Sequence, residues 1–399
     1  MQSRPAVAAL PVLLFTALSG TMAMMAFVAV IGPVARILGL AEWHAGLSVT
    51  AAGLLWMLAA PRWGALSDRI GRKRVLLVAL AAYAVIYLAM ALFVGIALNN
   101  PPAVLASVLA LVGARALVGL FYSGIPSTVA AVVADQMPPG ERGGVMARLG
   151  TANAVGLVIG PAAAGWLAMQ DLSLALHATA ALPLLSLLMV WWRLPDAPPA
   201  AAGRPGKRAG MSWRDRRLRL PLYAVFAAMV AVAVAQVAVG FFAIDRLQLS
   251  PVDGARMAGM ALTAVGFGLM ASQALVMRLR RVPPVRWIAM GAWIGALGFA
   301  SVALVQQPWQ LLAAYATAAF GMGFVFPSFQ ALAADSVEAH EQGAAAGTVA
   351  SVQGLGMVAG PLLGTVVYRW APGAPYLMIG ALLVVLGCAA TLHATGDTQ

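Results

Sequence analysis

The chain has 399 residues, 62% hydrophobic and only 10% charged, with a net charge of +12. A soluble domain carries about 25% charged residues, so no soluble core accommodates this chain and lipid is its main solvent. A basic excess that would point to nucleic acid in a soluble protein reads here as the positive bias of cytoplasmic membrane loops. The single cysteine, Cys388, excludes a disulfide framework, and no metal-ligand spacing or ATPase-type phosphate loop occurs.

A helix needs about 20 apolar residues to cross a bilayer. Runs of that kind predict twelve spans, at 11–33, 46–64, 75–98, 103–134, 143–168, 173–193, 219–243, 255–278, 286–306, 310–334, 343–368 and 374–394. Arg4 precedes the first run, which is too long and lacks a clear cleavage site for a signal peptide, so it is expected to be a retained span. No acid lies within Pro11–Pro33, whereas Met22, Met24 and Met25 offer an adaptable apolar wall.

Between the second and third spans stands a polar cluster, Gly64-Ala65-Leu66-Ser67-Asp68-Arg69-Ile70-Gly71-Arg72-Lys73-Arg74. Such a loop sits at a membrane surface. Gly64 and Gly71 are expected to permit a tight turn and close helix approach. Asp68 is not needed for topology, which the bases alone would set, so a charge-relay latch with Arg72 is expected to bias the conformational equilibrium.

The fourth span carries Arg115, the one charge placed well inside a span. An intramembrane ionisable residue is a functional hypothesis in itself, and three roles compete: a fixed charge in a coupling network, an anchor for an anionic substrate group, or a structural arginine bonded to backbone carbonyls. Asp135 near the inner end of this span and His177 in the sixth are the other coupling candidates, with Asp245 near the outer end of the seventh. Gly156, Gly160 and Gly165 are read as one small-residue face, and Pro161 as a bend. Cavity candidates are Met24, Tyr122, Asn153, Gln236, Gln330, Phe324 and Gln353.

Residues 194–218, rich in proline, glycine and arginine, predict a cytoplasmic linker between an N-terminal half at 1–193 and a C-terminal half at 219–399. The halves repeat at an offset of 200: Asp135 matches Asp335, Glu141 Glu341, Gly143 Gly343, Gly156 Gly356, Gly160 Gly360 and Pro161 Pro361. Parallel repeats of this sort describe one class of secondary transporter, with the substrate near midplane. Bases cluster in alternate loops, leaving only Arg36, Arg246, Arg256 and Arg369 at the outer ends, which predicts both termini in the cytoplasm. Trp43, Trp63, Trp166, Trp191, Trp192, Trp287 and Trp370 fall near span ends and fit interfacial belts.

With these features together the chain resembles the major facilitator superfamily over nearly its whole length. The Gly64–Arg74 cluster is similar to the family's loop between helices two and three, Arg115 and Gly119 to its fourth-helix motif, and Gly156–Gly165 to the fifth-helix motif of antiporters. Within the superfamily it looks most like the twelve-span drug/proton antiporters, tetracycline exporters included. The resemblance implies an all-α membrane protein of two parallel-repeat six-helix halves, a gating loop of Gly64, Asp68, Arg69, Gly71, Arg72 and Arg74, and a hinge at Gly156, Gly160, Pro161, Gly165, Gly360 and Pro361. It also implies Arg115 in a proton-coupling network, whereas many such antiporters carry a carboxylate in or near the first span, which is absent here.

The expected function is secondary active transport: proton-coupled export of small amphipathic organic compounds, drugs or a secreted metabolite, from a bacterial inner membrane. Transport of an organic anion such as a carboxylate siderophore is the alternative. A membrane enzyme should show clustered acids or histidines at one depth, and a sensor an appended soluble domain; neither pattern occurs. No cofactor is expected beyond the proton gradient, and the partners expected are a small-molecule substrate, protons and the bilayer, with a monomer sufficient and no nucleic acid.

Overall fold

The computed structural model describes residues 5–136, 139–195, 215–279, 282–338 and 341–396. Among them are thirteen α-helices: α1 (Pro5–Ile37), α2 (Glu42–Ile70), α3 (Arg72–Asn99), α4 (Val104–Tyr122), α5 (Gly124–Gln136), α6 (Pro139–Leu167), α7 (Leu172–Arg193), α8 (Arg219–Asp245), α9 (Pro251–Arg278), α10 (Pro284–Val302), α11 (Pro308–Asp335), α12 (Gln342–Tyr368) and α13 (Ala374–Gly396). Eleven stretches are long and apolar enough to cross a membrane, one of them formed by α4 and α5 together. The 29-residue α6 is not among them; its apolar run is interrupted by Arg148, Thr151 and Asn153.

The predicted fourth span is two helices rather than one. The chain turns at Ser123, and three residues on Pro126 has no N–H to donate to the Tyr122 carbonyl, so the helical ladder breaks there. Elsewhere most helices outrun the predicted spans, because their polar ends project beyond the apolar run, whereas α10 stops at Val302, short of the predicted 306. Sequence punctuation sets several starts. Proline opens α10 and α11, where a missing N–H costs nothing. Asp171 caps α7, its carboxylate accepting from the amides of Ser173 and Leu174 at 2.6 and 3.2 Å.

Two compact units form. The first holds α1–α7 with the start of α9, Pro251–Gly259; within it α1 packs on α6 and α7, α2 on α4, and α3 on α7 and α4. The second holds α8, the rest of α9 and α10–α13; within it α8 packs on α12, α13 and α11, and α10 on α11 and α13. The predicted linker falls largely on 196–214, with Trp213, outside the described residues.

Lipid supplies no hydrophobic drive for one helix to seek another, so small residues that let backbones approach carry the packing. A Cβ on Gly119 of α4 would stand 2.0 Å from the Ala52 carbonyl oxygen of α2, and one on Gly298 of α10 would stand 2.4 Å from the Ala318 nitrogen of α11. The repeat is visible in the same terms. Gly156 and Gly160 press on Leu18 and Met22 of α1, while Gly356 and Gly360 press on Met229, Val230 and Ala233 of α8. Trp166, Trp191, Trp192 and Trp370 are exposed, as belt residues are. Two others are more enclosed, Trp287 fully and Trp63 in part. Trp287 is buried against Phe324, ring centroids 4.8 Å apart, and the Trp63 indole donates to the Leu120 carbonyl at 2.7 Å.

Candidate transport site and its gating cluster

The loop between α2 and α3 is a single residue. Gly71 has φ +99°, a left-handed conformation that side chains rarely adopt, so glycine makes the reversal possible. Gly64 is different from its expectation: it lies inside α2, with open space where a Cβ would stand, and forms neither turn nor close approach.

Arg72, the first residue of α3, then lies between two carboxylates. It pairs with Asp68 at the end of α2, and its Nε donates to Asp135 Oδ2 at 2.8 Å at the end of α5. Its Nη1 also donates to the Ser67 hydroxyl. Arg72 is more covered than either acid, with 15% of its side chain exposed against 52% for Asp68 and 34% for Asp135. Asp135, expected among the coupling residues, is therefore the third member of the gating cluster, because the end of α5 meets the start of α3. Arg69 and Arg74 are exposed.

Deeper in the same unit, Arg115 on α4 is fully buried, the only charged side chain among the buried described residues. Its Nη1 lies 3.4 Å from the Met24 sulfur and its guanidinium carbon 4.4 Å from the Phe27 ring centroid, both on α1. No backbone carbonyl receives it, contrary to the structural role considered from sequence, and Nε and Nη2 have no hydrogen-bond partner. An arginine keeps its proton in proteins, and burying it without a carboxylate costs roughly several kcal/mol, which the Phe27 cation–π contact offsets only in part.

A polar column rises through the unit on the neighbouring helices. Tyr87 donates to the Ala23 carbonyl at 2.7 Å and lies 3.2 Å from the Thr179 hydroxyl. Tyr83 donates to the Gly20 carbonyl at 3.2 Å and packs near Tyr122, ring centroids 5.4 Å apart. The Thr21 hydroxyl stands 3.1 Å from Tyr122 Oη and 2.8 Å from Asn153 Oδ1. Tyr122 and Asn153 in turn line a cavity of about 230 Å³ with Ile125, Val129, Met146 and Leu149. Thus two of the expected cavity residues share a cavity. Sequence reading missed Thr21, Tyr83, Tyr87 and Phe27; the i, i+4 tyrosine pair inside an apolar run was the signal available.

The remaining candidates separate from this site. Met24 does not line the cavity but touches Arg115. Phe324 is fully buried core packed on Trp287 and Phe320. In the second unit, Gln236 and Gln353 are half-buried and Gln330 is exposed. His177 Nδ1 lies 2.8 Å from the Ser173 carbonyl near the start of α7. Asp245 accepts from the Tyr368 hydroxyl at 2.9 Å. Gly156, Gly160 and Gly165 do not share a face: the first two meet α1, while Gly165 meets Ala255 and Gly259 of α9. A spacing of five residues swings the third glycine around the helix. Pro161 lies inside an unbroken α6, and Pro361 inside an unbroken α12.

The second unit has its own ion cluster, built differently. Arg217, in the 3₁₀ turn Arg216–Leu218 that leads into α8, makes a two-pronged contact with Glu341 at 2.8 and 3.1 Å and also holds Asp215 at 3.0 Å. The Arg217 guanidinium keeps the Asp215 carboxyl below the usual carboxylate range by hydrogen bonding.

Comparison with known proteins places this architecture. The family model described as Major Facilitator Superfamily matches residues 12–361 and 254–395. A multi-drug resistance efflux pump PmrA homolog of Lactococcus lactis is 27% identical over 82% of this chain and 79% of its own length. The class C tetracycline resistance protein of Escherichia coli is 28% identical over 82% of this chain and 80% of its own. Among solved structures, a bacterial homolog of the human lysosomal transporter Spinster superposes with a TM-score of 0.76 at 15% identity, covering 100% of this chain and 98% of that one. The chain is a multi-pass membrane transporter, not an enzyme, and it belongs to the major facilitator superfamily.

Proposed function

We propose that this chain exports small amphipathic organic compounds, drugs or a secreted metabolite, by alternating access driven by the proton gradient. The observation that carries the reading is its similarity to drug-efflux and tetracycline-resistance proteins along about four-fifths of both chains. The mainly apolar cavity beside Tyr122 and Asn153 supports it, since such a surface suits a molecule with a large apolar body and one polar group. Base-rich inner loops support a cytoplasmic membrane of a bacterium, with both termini inside.

In this reading the Asp68–Arg72–Asp135 cluster is a latch that must break and remake as the halves exchange access. The proton path runs without a carboxylate inside α1. His177 is the candidate carrier: its Nδ1–H donates to the Ser173 carbonyl, leaving Nε2 as the acceptor of the ring.

The test is substrate movement in everted vesicles holding the protein, with tetracycline and a cationic dye as probes. Uptake that follows an imposed pH gradient and collapses with a protonophore is expected. Uptake indifferent to the protonophore would refute proton coupling, and none of either probe would refute the drug-efflux reading.

A further inference from the structure

The two orphaned donors of Arg115 are not scattered around the guanidinium. Nε and Nη2 point along the same edge, the one that receives both oxygens of a carboxylate side by side. The third nitrogen, Nη1, is the one turned toward the Met24 sulfur. The Phe27 ring covers the cation but supplies no acceptor. The fold thus leaves the fork empty and covers the rest.

The other half of the repeat shows that the fold does not require this. At the same offset of 200, Arg115 corresponds to Tyr315 on α11. Tyr315 is equally buried but satisfied, its hydroxyl 2.8 Å from the Ala235 carbonyl and 2.8 Å from Tyr376 Oη. A neutral, hydrogen-bonded group fills that position, whereas Arg115 brings a charge that faces the Phe27 ring and leaves Nε and Nη2 without acceptors.

We propose that the Nε/Nη2 edge of Arg115 is a binding site for a monoanion of carboxylate geometry, so that the compounds moved by this transporter include amphipathic organic carboxylates. A planar two-oxygen anion makes two parallel charge-assisted bonds to that edge and neutralises the buried charge. Met24 is half-buried and unbranched, so it is the side chain able to swing away and admit a ligand. The aromatic surroundings, Phe27, Tyr83 and Tyr87, suit the apolar body of such a molecule. A small inorganic anion such as chloride offers the same charge from a different source. The cargo part of the inference rests on the transport reading above; the anion site itself does not.

The experiment is thermal unfolding of the purified full chain at low ionic strength with sodium benzoate, sodium chloride or neutral benzyl alcohol. A ligand of the folded state raises the apparent melting temperature with concentration. Benzoate is expected to stabilise the wild type more than benzyl alcohol, and Arg115→Gln to weaken apparent benzoate affinity roughly tenfold or more. Chloride matching benzoate, with both lost in Arg115→Gln, makes Arg115 a general anion site and overturns the carboxylate geometry, and with it the inference of organic carboxylates as cargo. No anion response beyond that to benzyl alcohol, or an unchanged response in Arg115→Gln, overturns the site.

If Arg115→Gln does not fold, Arg115→Lys decides: a point charge without the fork should lower the preference for benzoate over chloride, and an unchanged preference overturns the geometric argument. Binding is read without transport, so drug efflux can persist when this site fails, and the site can stand when drug efflux fails.

Discussion

Alanine at Gly119 and alanine at Gly113 are the same substitution on the same helix with opposite expected outcomes. A Cβ on Gly119 would stand 2.0 Å from the Ala52 carbonyl oxygen, 2.6 Å from its carbon and 2.7 Å from its Cα. All three are backbone atoms, so no side chain can rotate out of the way. Ordinary contact begins at 3.4 Å, so α2 must retreat by about 1.4 Å, the difference between 3.4 and 2.0 Å. Overpacking of this kind costs about 1–3 kcal/mol, and a clash against backbone belongs at the upper end. Gly113 faces open space, so alanine there gains only the helix preference, up to about 1 kcal/mol. The two variants should therefore differ by at least about 2 kcal/mol, read as separated unfolding temperatures of the purified protein in one detergent. Because α2 carries Asp68 at its end, Gly119→Ala should also slow transport. A Gly119→Ala protein as stable as wild type, or a Gly113→Ala protein equally weakened, would refute the backbone-contact account of α2–α4 packing.

Three further outcomes follow from the site. Asp68→Asn and Asp135→Asn each remove one partner of an exposed ion cluster, so stability should change by no more than about 1 kcal/mol while transport rate falls; an unchanged rate in both variants would dismiss the latch. Asp171→Ala should destabilise by about 1 kcal/mol through loss of the α7 cap. Hydrogen bonds from Ser173 hold the Asp171 carboxyl below its usual range, so its contribution is present above the unfolded value of about 3.9 and lost as pH falls through the lower folded value; acid unfolding of Asp171→Ala against wild type should converge there. Asn153→Ala should alter the order of substrate preference more than stability, and identical preference across a panel of drugs would remove Asn153 from the binding cavity.

Much of the fold was legible because lipid imposes a simple rule: twenty apolar residues, then a polar break. The repeat at an offset of 200 was visible for the same reason that it persists in the packing, since Gly160 and Gly360 each fill a place where no side chain fits. The break at Ser123 was hidden, because Pro126 lies in an apolar run and hydropathy does not register a missing N–H. Asp135 looked like a lone acid near a helix end; only the packing of α5 beside the start of α3 reveals that it shares Arg72 with Asp68. Trp287 and Phe324 were misplaced for a related reason: composition locates a residue along the membrane normal but not around the helix. Arg115 was recognisable as unusual from sequence, yet which edge of it stands empty is a matter of rotamer and neighbours.

The comparison of Arg115 with Tyr315 has an evolutionary consequence. A chain made by doubling begins with two equivalent copies of every position, and only one copy of each needs to keep a demanding role. The glycine contacts of α6 on α1 and of α12 on α8 have survived in both copies, whereas the buried cation belongs to the first alone. On the proposed reading, the scaffold contacts are present in duplicate and the binding chemistry in one copy. Variants arising under selection for new substrates should gather around the α1–α4–α6 side of the first half, while the second half tolerates polar loss and resists changes in size.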